Sequence, residues 1–225
     1  MFAHKDKSKM QQIEPIVSGG FYHIYNRGIN SCDLFTEPAN YEYFLKLYDK
    51  YISPVAETYA WVLMKNHFHL LVRIKEEPDT VSLLSNPDWV LNPVRVTESP
   101  NHVRVDEACS SSKQFSKLFN SYAQAFNKRN HRHGGLFERP FKRKLITNES
   151  YLRQVVQYIH NNPVHHGFCE HPNEYPWSSY QTCISQKPTK LKREIVIGWY
   201  DDVANFTFCH LQKFEVEQMD KWLEL

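Results

Sequence analysis

In the run FYHIYNRG, aromatic and β-branched residues alternate with polar ones from Phe21 to Tyr25, the two-residue period of a strand, and Asn26-Arg27-Gly28 closes it as a turn. The period then changes. TEPANYEYFLKLYDKYI carries Tyr41, Phe44, Leu45 and Tyr48 at helical spacing, with Thr36 or Glu37 near the start and Pro54 just beyond the end. ETYAWVLMKNHFHLLVRIKEE contains two apolar runs separated by Lys65-Asn66, which predicts two strands in a tight hairpin. From Glu76 to about Ser112 no period survives and Pro78, Pro87, Pro93 and Pro100 interrupt the chain, so an irregular insertion is expected there, with room for one short helix. SKQFSKLFNSYAQAFNKRN restores a helical stripe through Phe115, Leu118, Phe119, Tyr122 and Phe126. Gly134-Gly135 is its expected stop, before a short strand in FKRKLIT. A further helix begins after Asn148, with Glu149 in its first turn, and is expected to end at Pro163. Beyond Trp177, EIVIGWY reads as an appended strand and FEVEQMDKWLEL as a terminal helix. The order strand, helix, strand, strand, helix, strand, helix predicts an α+β fold, an antiparallel sheet with helices packed on it.

Composition narrows the class. Over 225 residues, 41% hydrophobic and 14% aromatic side chains supply enough apolar surface for an ordered core. A net charge of +2 creates no whole-molecule field, so any electrostatic partner must be met by a local cluster. Cys32, Cys109, Cys169, Cys183 and Cys209 are odd in number and include no CxxC pair, which argues against a disulfide framework or a zinc knuckle. No apolar run approaches the roughly 20 residues that span a bilayer. The leader MFAHKDKSKMQQIEP is polar and lacks the apolar segment of a signal peptide, so a cytoplasmic location is expected, with no membrane partner.

Against this background, MKNHFHLLVRI places two imidazoles in a strand that would ordinarily carry aliphatic residues. Side chains two apart share a face, so His67 and His69 project together while Phe68, Leu70 and Val72 line the other side. Two imidazoles from one strand are half of a metal site, or simply a hydrogen-bonded pair on a sheet surface. The helix YLRQVVQYIHNNPVHHG adds Tyr158 and Asn162 at i and i+4, a phenol and an amide on one face. An amide oxygen suits magnesium or manganese, and a tyrosine beside such an ion is a nucleophile candidate. The plainer readings are a core aromatic for Tyr158 and a helix cap for Asn162. Lys65, Asn66 and His160 stand near these motifs without a pattern that assigns them a role.

His67-Phe68-His69 resembles the histidine-hydrophobe-histidine (HUH) motif, and YIHNNPV resembles the tyrosine helix of the single-tyrosine HUH transposases. FYHIYNRG, FNKRNHRHGGLFERPFKRKLI and ESYLRQVVQYIHNNPVHHGF are similar, in order, to the REP-associated tyrosine transposase branch; the likeness runs from about Gly20 to Ser179. It implies a ferredoxin-like sheet with the HUH strand central and the tyrosine helix packed across it. It further implies that His67, His69 and Asn162 bind Mg²⁺ or Mn²⁺ and that Tyr158 cleaves single-stranded, hairpin-containing DNA through a 5′-phosphotyrosine, then rejoins it. In the wider family a glutamine often stands where this chain has Asn162. A domesticated relative that binds a DNA or RNA hairpin without cutting is the alternative, and it would be favoured by a missing histidine or tyrosine. A zinc hydrolase built on the HxH pair ranks last, because no H-E-x-x-H or carboxylate partner stands near it. Relatives occur as monomers and as dimers, so a homodimer is compatible with the resemblance. The organisation expected is a leader over 1–19, a transposase domain over 20–182 with an insertion at about 76–112, and an extension over 183–225.

The basic residues are concentrated. Lys128, Arg129, Arg132, Arg139, Lys142, Arg143 and Lys144 lie within one segment against a single acid, Glu138, and Phe126, Phe137 and Phe141 are interleaved with them. Such a segment can track a phosphate backbone while rings stack on unpaired bases. Arg27, on the turn after the first strand, joins this list of DNA-contact candidates.

Overall fold

The computed structural model describes residues 15–76 and 110–212, together with 214, 216, 219 and 221. Strand β1 (Phe21–Arg27) leads to helix α1 (Pro38–Tyr51), the hairpin β2 (Ala56–Leu63) and β3 (His67–Ile74), helix α2 (Ser111–Arg129), strand β4 (Lys142–Ile146) and helix α3 (Glu149–His165). Three short helices follow: α4 (Tyr180–Ile184), α5 (Arg193–Gly198) and α6 (Val203–Leu211). The strands form one sheet in the order β2-β3-β1-β4, and the pairs β2/β3, β3/β1 and β1/β4 are all antiparallel. This is the expected α+β, ferredoxin-like arrangement, and the strand that carries the two histidines lies inside the sheet.

Alternation along the inner strands divides the core in two. On one face Tyr22, Ile24, Phe68, Leu70 and Val72 pack beneath α1 and α2, against Phe44, Phe115, Phe119 and Tyr122. On the other, Val62, Leu71 and Ile146 meet Leu152, Val155, Val156 and Ile159 of α3. The hairpin turns where predicted: Met64 N–H donates to the His67 carbonyl at 2.8 Å, and Lys65 and Asn66 lie between. Gly28, just past β1, has no room for a side chain, since a Cβ there would come within 2.0 Å of the Cys32 carbonyl oxygen.

The structure departs from the sequence pattern in four places. Asn26 and Arg27 do not form a turn but continue β1, paired with Phe68 and His67 of β3, and the chain leaves the strand only at Gly28. Helix α2 ends at Arg129, before Gly134-Gly135, because Asn130 turns both its backbone and side-chain N–H groups back onto the Phe126 carbonyl. Helix α3 runs through Pro163 to His165. Gly167, at φ +71°, allows a Schellman closure there, in which Phe168 N–H bonds the Pro163 carbonyl and Gly167 N–H that of Val164. EIVIGWY is helix α5 and not a strand. Just before this segment the chain bridges the β2 edge at Leu191 opposite Thr58, and it then turns so that Val196 and Tyr200 are buried while Ile195 faces solvent. A continuous apolar run has no period of its own, and tertiary packing decided it. Most of the insertion, most of the leader and most of the terminal helix expected in FEVEQMDKWLEL lie outside the described residues.

The aromatic layer beneath β3 carries a measurable share of stability. Phe68→Ala should destabilise the protein by about 3–5 kcal/mol. Glu42→Ala, on the exposed side of α1, should change the denaturation midpoint little.

Candidate functional site

On the α3 side of the sheet, successive rows across the strands read Lys142, Tyr25, His69, Val62 and then Lys144, His23, Leu71, Ala60. His67 occupies the next position along β3, opposite Arg27. Pairing of β3 with β1 thus adds a third imidazole, His23, which lies diagonal to His69. Its Nε2 is 3.0 Å from His69 Nδ1, and both rings are buried. Tyr25 stacks beside both, with centroids 5.0 Å from His23 and 5.9 Å from His69.

Helix α3 crosses over this face. Tyr158 sets its ring edge-on against His69 and His23, at centroid distances of 5.3 and 5.9 Å. Asn162, one turn later and only 1% exposed, brings Oδ1 to 3.0 Å from His67 Nε2. All four residues picked out in the sequence as a catalytic constellation, His67, His69, Tyr158 and Asn162, therefore meet within one chain. Because α3 continues past Pro163, His166 also reaches the site, with its ring 5.0 Å from that of His67. A cavity of about 550 Å³ opens beside them, walled by Tyr25, Tyr158, His67, His69, His166 and Phe168, with Arg27, Lys65 and Lys142 as its basic residues. Asp33 pairs with Lys65 at 3.1 Å and Glu138 approaches Arg27 at 3.6 Å.

The donor set has a definite sense. His67 Nδ1 lies 2.8 Å from Asn66 Oδ1, and in a neutral ring that donates to this oxygen the proton sits on Nδ1. A neutral His67 then turns an Nε2 lone pair towards the Asn162 carbonyl oxygen, and two acceptors face each other at a distance suited to ligands of one cation. Rotating the Asn162 amide relieves the opposition without a cation. Among the described residues no three histidine, cysteine or carboxylate side chains converge on one point, so a cation here would rest on two imidazoles and an amide. Burial, with smaller contributions from His23, His67 and His166, holds His69 well below the usual histidine range, and burial lowers His23 to about 3. Both are neutral at pH 7, as metal-binding or hydrogen-bonding imidazoles must be.

No family model matches the chain. A curated Haemophilus influenzae protein described as a "Putative REP-associated tyrosine transposase" is 26% identical over 124 residues, 55% of this chain and 58% of that protein. The matched region thus spans little more than half of the relative's length. A solved REP-associated tyrosine transposase bound to a REP hairpin superposes with a TM-score of 0.53 at 16% identity, over 80% of this chain and 89% of that one. In sequence and in fold, this chain is similar to the REP-associated tyrosine transposases.

The basic residues that the charge pattern of the sequence singles out as DNA-contact candidates do not form one patch. Arg27 and Lys142 stand at the cavity, and Lys144 lies on the same sheet face, one row further along. Arg139 and Arg143 line a separate groove of about 690 Å³ against α2. Lys128 and Arg129 end α2, where Arg129 pairs with Glu37 at 2.6 Å; Arg132 lies over the Phe126 ring. The interleaved rings are not free platforms: Phe126 and Phe137 are in the core, and Phe141 packs on Phe115 and Phe119 with Arg143 over it. Their apolar surface is worth more buried against α2 than held ready for bases. Among the described residues no helix is long and apolar enough to cross a membrane.

His160 points away from the cavity into a buried polar chain. His210 Nδ1 donates to the Phe206 carbonyl, which leaves His210 Nε2 to accept from His160 Nδ1 at 3.0 Å. His160 Nε2 must then accept from Ser179 Oγ at 2.8 Å, and that oxygen accepts the Trp61 N–H. Every proton is assigned and every ring is neutral. His23, His166 and this chain are the features sequence reasoning missed; the motif FYHIYNRG contains His23, but nothing in its spacing announces the cross-strand contact.

Burial holds His160 well below 6.5 and lowers His210 to about 4. The unfolded chain therefore takes up protons that the folded one refuses, and their contribution, complete above about pH 6.5, is lost as pH falls towards the folded value. Thermal melts between pH 7.5 and 5 should show stability declining, by up to about 1.4 kcal/mol per pH unit for each such histidine. His210→Phe should be less stable at pH 7.5, by about 1–3 kcal/mol for the orphaned His160 N–H, and decline less steeply.

Proposed function

We propose that this protein is a metal-dependent single-stranded DNA endonuclease and strand transferase that works through Tyr158. The observation that carries the reading is the meeting, in one chain, of Tyr158 with His69 and of Asn162 with His67. A hydrogen-bonded imidazole pair would need neither the tyrosine nor the cavity beside it. The solved transposase of similar fold is bound to a REP hairpin, and hairpin-containing DNA is the substrate class proposed here.

His67 Nε2, His69 and Asn162 Oδ1 would hold Mg²⁺ or Mn²⁺, which when bound stabilises negative charge on the scissile phosphate. Helix α3 holds the phenol of Tyr158 against the imidazoles at the cavity wall, where its oxygen attacks phosphorus. The O–P bond to tyrosine forms as the P–O3′ bond breaks, the phenol proton is lost, and the departing 3′ oxygen gains one. The product is a 5′-phosphotyrosine and a free 3′-OH. Attack by another 3′-OH reverses the step on a second strand with no external energy source. Arg27 and Lys142, which line the cavity, would meet the flanking phosphates.

Incubating the protein with hairpin oligonucleotides from the flanks of its own gene, with Mg²⁺ or Mn²⁺, should give a covalent adduct on a denaturing gel. Tyr158→Phe should abolish it, and His67→Ala or His69→Ala should slow it by at least about a hundredfold. An adduct that persists in Tyr158→Phe, or none from the wild type with any such substrate, would sink the catalytic reading.

A further inference from the structure

Beyond the residues already given a role, the site contains one imidazole that touches neither the cavity nor solvent. His23 is fully buried on β1, and its Nε2 lies 3.0 Å from Nδ1 of His69. The two ring centroids are 5.1 Å apart and the planes only 6° from parallel. With the nitrogens that close, the rings meet edge to edge in nearly one plane, where an N–H···N bond is straightest. Only one proton fits between them. If it belongs to His69, the Nε2 of His69 carries a lone pair; if it belongs to His23, His69 presents an N–H and cannot be a ligand.

The neighbouring imidazole shows which state a ligand needs. His67 faces Asn66 Oδ1 with Nδ1, so a neutral His67 that donates there keeps its lone pair on Nε2. His69 matches it only if His23 accepts. His23 then carries its own proton on Nδ1, a buried atom with no hydrogen-bond partner among the described residues. A leucine or phenylalanine would fill the same space without that orphaned group, so packing alone does not account for an imidazole at this position.

We propose that His23 is a positioning residue: it accepts the Nδ1–H of His69, fixes that tautomer, and directs the Nε2 lone pair of His69 towards a divalent cation. Asn66 does the same for His67 from the hairpin turn, so each imidazole has its own orienting partner. Tyr25, stacked beside both His23 and His69, holds the two rings in register. The inference rests on the reading that the histidine pair binds a cation, but the tautomer can be measured without one.

In the metal-free wild type labelled with ¹⁵N-histidine, long-range proton–nitrogen correlation should show His69 protonated at Nδ1 with a pyridine-like Nε2. It should also show His23 protonated at Nδ1. Protonation of His69 at Nε2 overturns the proposal, whatever the variants do. Mn²⁺ binding, followed by electron paramagnetic resonance, should weaken about 10–100-fold in His23→Phe and largely recover in His23→Gln, whose amide oxygen can accept the same proton. Thermal melts confirm that both variants are folded. Unchanged Mn²⁺ affinity in folded His23→Phe also overturns it. If the wild type binds no Mn²⁺ at all, the metal reading fails, and the nitrogen shifts still decide the role of His23.

Discussion

A strand inside a sheet has both backbone edges committed to its neighbours, so its side chains can go only up or down. β3 is in that position between β2 and β1. Its even positions, Phe68, Leu70 and Val72, enter an aromatic layer that includes Phe44, Phe119 and Phe137, and its odd positions, His67 and His69, are held up on the other side. The site has little rotational freedom because its imidazoles stand on a strand that cannot slip by one residue without driving Phe68 out of the core. Everything else at the site is arranged about that fixed pair.

The second element is α3, and its placement comes partly from outside the cavity. The Schellman closure at Gly167 carries the helix past Pro163 and brings His166 and Phe168 to the cavity wall. On the far side, His160 binds α3 through Ser179 and His210 to β2 and α6. The short helices after α3 share its core, with Tyr180, Val196, Tyr200 and Phe206 packed against the same cluster as Val155 and Ile159. Residues 177–179 also cover the outer edge of β2: Leu63 N–H bonds the Trp177 carbonyl and Ser179 N–H that of Trp61.

What the sequence disclosed depended on whether the information was periodic. The four strands, the helices α1 and α2 packed on them and the tyrosine helix follow from two-residue and 3.6-residue spacing. His67 with His69, and Tyr158 with Asn162, are pairs whose geometry is local to one element. The His23–His69 contact was not legible, because a diagonal cross-strand neighbour depends on register, which no single strand encodes. The His160, Ser179 and His210 chain joins segments up to 50 positions apart and has no spacing to notice. Phe126, Phe137 and Phe141 looked like base-stacking rings because they alternate with arginines and lysines, but burial belongs to the face a residue occupies and not to its neighbours in the chain. EIVIGWY was ambiguous for the opposite reason: after Glu194 no charged residue marks a face, and only the packing of Val196 and Tyr200 chose a helix.

The buried chain from Trp61 to Phe206 has a direction, since each group in it has only one way to share its proton. A helix docked by such a contact is keyed, and turning α3 about its axis by even part of a residue would strand several donors at once. Tyr158 lies two positions before His160 on that helix, so the azimuth of the phenol is set by a lock on the opposite side from the cavity. Grafting this helix onto another sheet would transfer the phenol without its aim.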